Sequence, residues 1–287
     1  MGAAGGITCV LPRYRQARPA LHFFNDHVLP LPVTAIGALV LGFWTAIALL
    51  VHLLVIPRLC GRDGQRFGAI HSEVPSLVAL TLGLFVSFNA VWILERHECV
   101  GKAIIDEATA LTSVLDDADG LASASGANAL RLAVANYATN LITVEWPELA
   151  NWTASSARPD ELDRLRALVR GSGDADMIGA LHRAEEARDL RINTGLASMS
   201  TTRWTVLIFL GVLAIFSFGL LHADSARARL LALGIVTVSI TVCLVVMLVN
   251  ARPFVGALAF RPDQLELVLK RAESSVTPAA PQTAPQK

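Results

Sequence analysis

The amino-acid sequence predicts an all-α, polytopic membrane protein with four transmembrane helices and a central helical extramembrane domain between spans 2 and 3. Three observations support this fold class. Four apolar stretches contain no Asp, Glu, Lys or Arg, and hydrophobic residues make up 53% of the 287-residue chain. The stretches form two pairs on either side of residues 95–202. Those intervening residues repeat their apolar positions at helical rather than strand spacing.

Each apolar stretch is long enough to cross a bilayer. The four run from Val33 to Ile56, Leu77 to Leu94, Trp204 to Leu221 and Leu230 to Val249. A helix rises about 1.5 Å per residue, and the hydrocarbon layer is roughly 30 Å thick. Since a helix also satisfies its own backbone hydrogen bonds, the lipid bilayer is the expected surrounding of these segments.

The chain divides into six consecutive segments. These are an N-terminal tail (1–32), transmembrane helices 1 and 2 (33–94), an acidic helical extramembrane domain (95–202), transmembrane helices 3 and 4 (203–250), a membrane-proximal C-terminal segment (251–275) and a disordered tail (276–287). Residues 95–202 hold 17 acidic and 10 basic residues, a net charge of −7, within a chain whose net charge is zero. Such a domain repels anions, whereas the basic remainder suits anionic head groups.

Four helices are predicted in the central domain. The first continues from span 2 and shows helical spacing from Ile104 to Leu115. A second runs from Leu130 to Val144, and Pro147 is expected to stop it. Pro159 begins a third, short helix. Asp174 caps a long fourth helix that is expected to continue towards span 3.

Few polar side chains lie within the spans, and His52 is the only ionisable one. Proton pumps and ion-coupled carriers usually place ionisable groups in the bilayer. The scarcity of such groups in these spans therefore argues against a pump or an ion-coupled carrier. A lone histidine is more simply interpreted as a hydrogen-bonded packing residue than as a proton relay. Small-residue stripes at Ala38, Gly42 and Ala46, and at Gly83 and Ser87, predict close helix packing, either within one subunit or between subunits.

One face of span 2 carries a set of large and polar side chains. Phe85, Phe88, Asn89 and Trp92 project along it at helical spacing. One hypothesis is that this face lines a pore and that its rings form a hydrophobic constriction that gates by dewetting. The alternative is an aromatic face packed on neighbouring helices or lipid.

Catalytic and metal-binding patterns are weak. The His182, Glu185 and Glu186 group lies on a charged helix, where such pairs are usually solvated. The four cysteines are too far apart for a zinc site, and the acids from Asp116 to Asp119 lack the glycine and distal Glu of a calcium loop. No phosphate-binding loop or nucleophile elbow occurs. We therefore expect no enzyme activity, cofactor or metal, and, without a basic soluble face, no nucleic-acid partner.

Several motifs in order resemble the bestrophin-like family of bacterial four-span membrane proteins, whose activity is largely unassigned. The matching stretches extend over roughly residues 33–270. They are Leu82-Gly83-Leu84, the helix through Glu107 and Leu111, Tyr137 with Glu145-Trp146-Pro147, Arg188 and Arg191, and Arg252-Pro253-Phe254-Val255-Gly256. The chain departs from the family in its long N-terminal extension and in Arg252, where an acidic residue is expected.

The resemblance implies a homo-oligomeric ion channel with four spans per subunit and a large cytosolic helical part. The calcium-binding acids of bestrophins proper have no clear match, so calcium gating does not carry over. The alternative is a membrane-anchored sensor or scaffold whose helical domain binds partners.

The motif residues also have a structural interpretation. Tyr137 and Trp146 bury large areas before Pro147, and Glu145 is expected to pair with Arg188 or Arg191. At the end of span 4, Pro253 ends the helix, Arg252 reaches head groups and Phe254 packs back.

The charge distribution and the family resemblance favour opposite orientations in the membrane. Positively charged residues in short loops favour the intracellular side. The two hairpins between spans carry several, so this rule favours intracellular hairpins; the residues are Arg58, Arg62, Arg66, Arg227 and Arg229. The family resemblance favours the opposite arrangement. We follow the resemblance and predict a multi-pass protein of the bacterial inner membrane with a cytoplasmic helical domain.

Overall fold

A computed structural model describes residues 32–60, 72–121, 123–153, 159–256 and 258–274. The predicted tails at 1–32 and 276–287 lie outside this range except for residue 32, and Arg62 and Arg66 lie outside it as well. Within it the chain is all-helical, without strands. The helices are α1 (Val33–Leu50), α2 (Ile56–Cys60), α3 (Glu73–Asp119), α4 (Ala124–Asn140), α5 (Trp146–Ala150), α6 (Asp160–Ser172), α7 (Ala175–Gly195), α8 (Thr201–Leu221), α9 (Ala226–Asn250) and α10 (Asp263–Ser274), and π-helical segments at Val51–Val55 and Leu141–Glu145 join α1 to α2 and α4 to α5.

The predicted fold class is confirmed. Four helical segments in the described residues are long and apolar enough to cross a membrane: Val33–Cys60, Glu73–Asp119, Thr201–Leu221 and Ala226–Asn250. Their outward apolar side chains remain exposed on the isolated chain, as expected of surfaces that meet lipid.

The chain forms two compact units. The first, here called the span unit, contains described residues up to His97 and again from Ala197 to Ala259. The second, the helical unit, contains Glu98 to Leu196 and the segment from Phe260 onward. Helix α10, within the segment assigned from sequence to a membrane-proximal region, belongs to the helical unit and packs on α4.

The core of the span unit centres on α1 and α9. Buried Ile36, Val40, Trp44 and Ala48 recur every four residues on α1 and form the face that packs on α9. Helix α8 closes the cluster, because the side chain of Trp44 lies directly against Gly211. A Cβ at Gly211 would stand 2.5 Å from a ring carbon of Trp44, so only glycine fits there.

The predicted small-residue stripes are not used in the same way. A Cβ added at Gly42 or Gly83 meets nothing within 4 Å. Close packing within the subunit therefore occurs at Gly211 and Gly219 instead, where Trp44 and Val51 respectively approach. Packing between subunits stays the open alternative for the two exposed glycines.

Each π-helical segment lies immediately before an X-Pro pair. Val51–Val55 precedes Ile56-Pro57, and Leu141–Glu145 precedes Trp146-Pro147. Proline lacks an N–H and its ring clashes with the carbonyl four residues earlier. A wider π turn relieves that clash and lets the helix continue. The expectation that Pro147 stops the helix is thus wrong, since the chain stays helical to Ala150.

The helical unit buries most of the predicted apolar positions, although Ile105 and Val144 are exposed. Its core includes Leu111 of α3, Val134 of α4, Leu165 of α6 and Leu181 of α7. The sequence-predicted cap is confirmed, because the Asp174 carboxylate accepts from the backbone N–H groups of residues 176 and 177 at 2.9 and 3.2 Å.

One expected helix continuation is wrong. Helix α3 runs without interruption from span 2 through residue 119, but α7 ends at Gly195 and α8 starts at Thr201. The hydroxyl of Ser200 accepts from the backbone N–H of Arg203, so a new helix is capped there rather than an old one extended.

We predict that Gly211→Ala destabilises the protein by about 1–3 kcal/mol, because the added methyl group collides with the Trp44 ring. Gly42→Ala is the matched control: it makes the same change in an open position of a neighbouring span, and we expect its stability to be unchanged or slightly higher. Thermal unfolding in detergent, followed by tryptophan fluorescence, measures both. Equal losses in the two variants would contradict the close contact.

Candidate functional site

A buried network of charged side chains lies in the helical unit. It contains Glu107 of α3, Tyr137 of α4, Glu145 at the end of the π-helical segment, and Arg188 and Arg191 of α7. All five side chains are buried. The network therefore links three long helices through groups that water does not screen.

Arg191 is the centre of the network. Its Nε donates to Glu107 Oε2 at 2.7 Å, and its Nη2 donates to Glu107 Oε1 at 3.2 Å and to Glu145 Oε1 at 2.5 Å. The residue is 0% exposed. Its Nη1 is sealed from water and has no hydrogen-bond partner in the described part of the chain. One guanidinium thus holds two carboxylates from different segments.

Arg188 and Tyr137 complete the arrangement. Arg188 Nε donates to Glu145 Oε2 at 2.8 Å, and the Tyr137 hydroxyl donates to Glu107 Oε1 at 3.2 Å. The sequence left open whether Glu145 pairs with Arg188 or Arg191, and the structure shows that it pairs with both. With two carboxylates and two guanidinium groups, the network is electrically neutral.

Burial and charge perturb two of these groups. Burial raises the pKa of Tyr137 well above its usual range, and the carboxylates of Glu107 and Glu145 raise it further. Burial alone would lower the pKa of Arg191, but the same carboxylates outweigh that effect and raise it above the usual arginine value. Tyr137 therefore stays a neutral donor and Arg191 a permanent cation.

Local structure explains how the side chains meet. Arg188 and Arg191 are three residues apart, so they lie on one face of α7. The π-helical segment ends at Glu145 and turns its carboxylate into the unit. Trp146 follows, with its ring centroid 5.5 Å from Arg191 Cζ and its indole N–H donating to the Phe260 carbonyl at 3.2 Å.

The carboxylate of Glu107 is the network member that we did not identify from the sequence as a pairing partner. The signal was present, because Glu107 lies among Ile104, Ala108 and Leu111 on the apolar face of its helix. A charge on a face that packs inward needs a buried partner of opposite sign. Chemically, the network is a set of buried ion pairs suited to holding helices together.

The span 2 residues lie in the span unit and do not form one uniform face. Phe88 is 73% exposed, whereas Asn89 is buried and its amide donates to the Phe85 carbonyl at 2.7 Å. Phe85 and Trp92 pack partly on the core. The Arg203 guanidinium lies 5.0 Å from the Trp92 ring centroid. Phe88 is thus the aromatic side chain of this set that points away from its own subunit.

The Arg252-Pro253-Phe254 motif also lies in the span unit. Helix α9 ends at Asn250, and all three motif side chains are buried. The expectation that Arg252 reaches head groups is wrong. After the helix the chain makes a turn, which Gly256 completes at φ +98°, and Arg252 folds inward with Phe254.

The comparisons with known proteins are consistent with this architecture. The family model described as Bestrophin-like domain matches residues 43–265, most of the chain. Comparisons with curated proteins and with solved structures gave no significant match.

We predict that Arg191→Met lowers the free energy of unfolding of the helical unit by about 3–5 kcal/mol, because it leaves two buried carboxylates short of a partner. Arg271→Met is the control, since Arg271 pairs with Asp116 on an exposed surface where such pairs contribute at most about 1 kcal/mol. Urea unfolding followed by tryptophan fluorescence compares them. Similar losses in the two variants would show that the network does not stabilise the unit.

We also predict that Tyr137 stays protonated at a pH where a free tyrosine is half ionised, about pH 10. Because its pKa is higher in the folded than in the unfolded chain, its contribution to stability is complete below about pH 10 and is lost as the pH rises through the folded-state pKa. The chain has two tyrosines, so Tyr14→Phe leaves Tyr137 as the only reporter. Tyrosinate absorbance should appear only together with alkaline unfolding; ionisation of the folded protein near pH 10 would contradict the buried position.

Proposed function

The chain belongs to the Bestrophin-like family, and on that premise we propose that it is a homo-oligomeric ion channel with a hydrophobic pore constriction. In this proposal α3 lines the pore of a ring of subunits, and Phe88 forms its narrowest part. The protein is a membrane protein with four candidate spans. The conducted ion, the oligomer and the pore belong to the proposal.

The exposure of Phe88 carries the proposal. It is the most exposed of the large apolar side chains on its helix, in the middle of a span without charges. Leu84 and Val91, one turn away on either side, are also more than half exposed. A row of apolar side chains that no helix of its own subunit covers is what a dewetting constriction requires once subunits surround an axis.

Two further features support a channel over an enzyme. In the helical unit, the most deeply buried charged groups form ion pairs with one another. Groups held in this way are unsuited to acid–base catalysis. Helix α3 continues without interruption from the constriction into the helical unit, so one helix belongs to both units. We place the protein in the bacterial inner membrane with the helical unit in the cytoplasm.

We predict that Phe88→Ala increases the unitary conductance by about twofold or more, because the smaller side chain widens the constriction and lowers the barrier to water. Single-channel recording of the purified full-length protein in planar bilayers measures this. Phe85→Ala is the matched control, since Phe85 packs on the core of its own subunit. It should reduce stability and leave the conductance unchanged.

Two outcomes would contradict the proposal. The first is an identical conductance in the native protein and Phe88→Ala. The second is no current from native protein that particle images show to be intact and folded; a closed dimer in those images would favour the sensor or scaffold instead.

A further inference from the structure

Among the described residues of the span unit, one buried arginine has no carboxylate partner, and it lies at the end that carries the α8–α9 hairpin. Arg229 is in the first turns of α9 and is 7% exposed. Its Nε donates to His52 Nδ1 at 3.1 Å and its Nη1 donates to the Ala223 carbonyl at 3.2 Å. Both acceptors are uncharged, so the described residues leave this cation without a counter-ion.

The geometry fixes the protonation of the histidine. An arginine only donates hydrogen bonds, so Nδ1 of His52 must be the unprotonated nitrogen. The imidazole is then neutral, carries its hydrogen on Nε2, and holds the guanidinium in place through Nδ1. His52 lies in the π-helical segment Val51–Val55, a deformation that is often found at functional sites.

Electrostatics at this point favours an anion. A charged side chain within a membrane helix is costly, and such residues are usually paired or functional. The N-terminal end of α9 adds a positive partial charge rather than relieving the arginine. Asp224, the acid of the same hairpin, is exposed and forms no ion pair with Arg229 among the described residues. The remaining N–H donors of the Arg229 guanidinium can therefore bind an anion, and its Nη2 atom is accessible from outside the span unit.

We propose that Arg229 and His52 form a binding site for a phosphate-type anion at the membrane interface. The guanidinium supplies the charge and, from the Nη1 and Nη2 hydrogens that Ala223 does not use, a fork of donors that matches phosphate oxygens. His52 positions this fork by accepting from Nε. The same chemistry serves the phosphate of a lipid head group or a free phosphate ion. The site is separate from the proposed pore face, and its test does not require conduction.

The test measures thermal unfolding of the purified full-length protein in a neutral detergent. Three probes are compared: phosphatidylglycerol, a diacylglycerol with the same acyl chains but no phosphate, and inorganic phosphate alone. We expect the melting temperature to rise by roughly 4 °C or more with a phosphate-bearing probe and to stay constant with diacylglycerol. A rise with phosphatidylglycerol alone assigns a lipid head group, and a rise with inorganic phosphate as well assigns a site for the free ion.

Variants connect that rise to Arg229. Arg229→Gln should abolish it, whereas Arg227→Gln should retain it, because Arg227 is an exposed arginine of the same turn and its loss changes the net charge equally. Arg229→Lys keeps the charge without the fork and should reduce the rise while preserving the fold, which covers the case in which Arg229→Gln does not fold. An equal rise in the native protein and both Arg229 variants, or no rise with either phosphate-bearing probe, overturns the proposal.

Discussion

The cost of placing charge in apolar surroundings governs this molecule. It explains why the apolar stretches of the spans contain no charged side chains, and why the buried charges of the helical unit form ion pairs. Arg191 shows the second case, with two carboxylates held by one guanidinium and no water to screen them. Removing a charged member would leave the remaining buried charges unbalanced, so the helices that carry these residues are committed to one arrangement. In the span unit, Arg229 instead donates to two uncharged acceptors, which is the observation behind the proposed anion site.

Much of the architecture follows from the sequence because lipid imposes a simple rule. The absence of charge over a sufficient length identified all four spans, and the Asp174 cap and the Glu145 pairing also followed from local chemistry. Tertiary contacts were harder to foresee. Small residues at regular spacing suggested tight packing at Gly42. The tight contact is instead at Gly211, because the large ring of Trp44 packs directly against that glycine. The sequence pattern does not record which neighbour faces a glycine.

The candidate sites show the same division between features that local sequence predicts and features that depend on tertiary contacts. Phe88 was recognisable from residue type and spacing, and the arginines of α7 were singled out through the family resemblance. Arg229 was not, because it lies one residue before the charge-free stretch and was counted with the hairpin rather than with the span. Its partner His52 is distant in the sequence, and only the folded unit brings them together. The ending of α7 at Gly195 was likewise missed, since apolar periodicity continues where a serine cap starts a new helix.

The two π-helical segments affect how this chain should be compared with its relatives. An α-helix turns by about 100° per residue, and a π turn accommodates one residue more than an α turn does. The faces before and after Val51–Val55 are therefore out of phase by one position, and the same applies around Leu141–Glu145. A relative without the following proline has no need of the wider turn and would lack that residue. Aligning such chains as uninterrupted helices would assign exposed positions to the interior, so each of these helices is better treated as two segments with a one-residue offset.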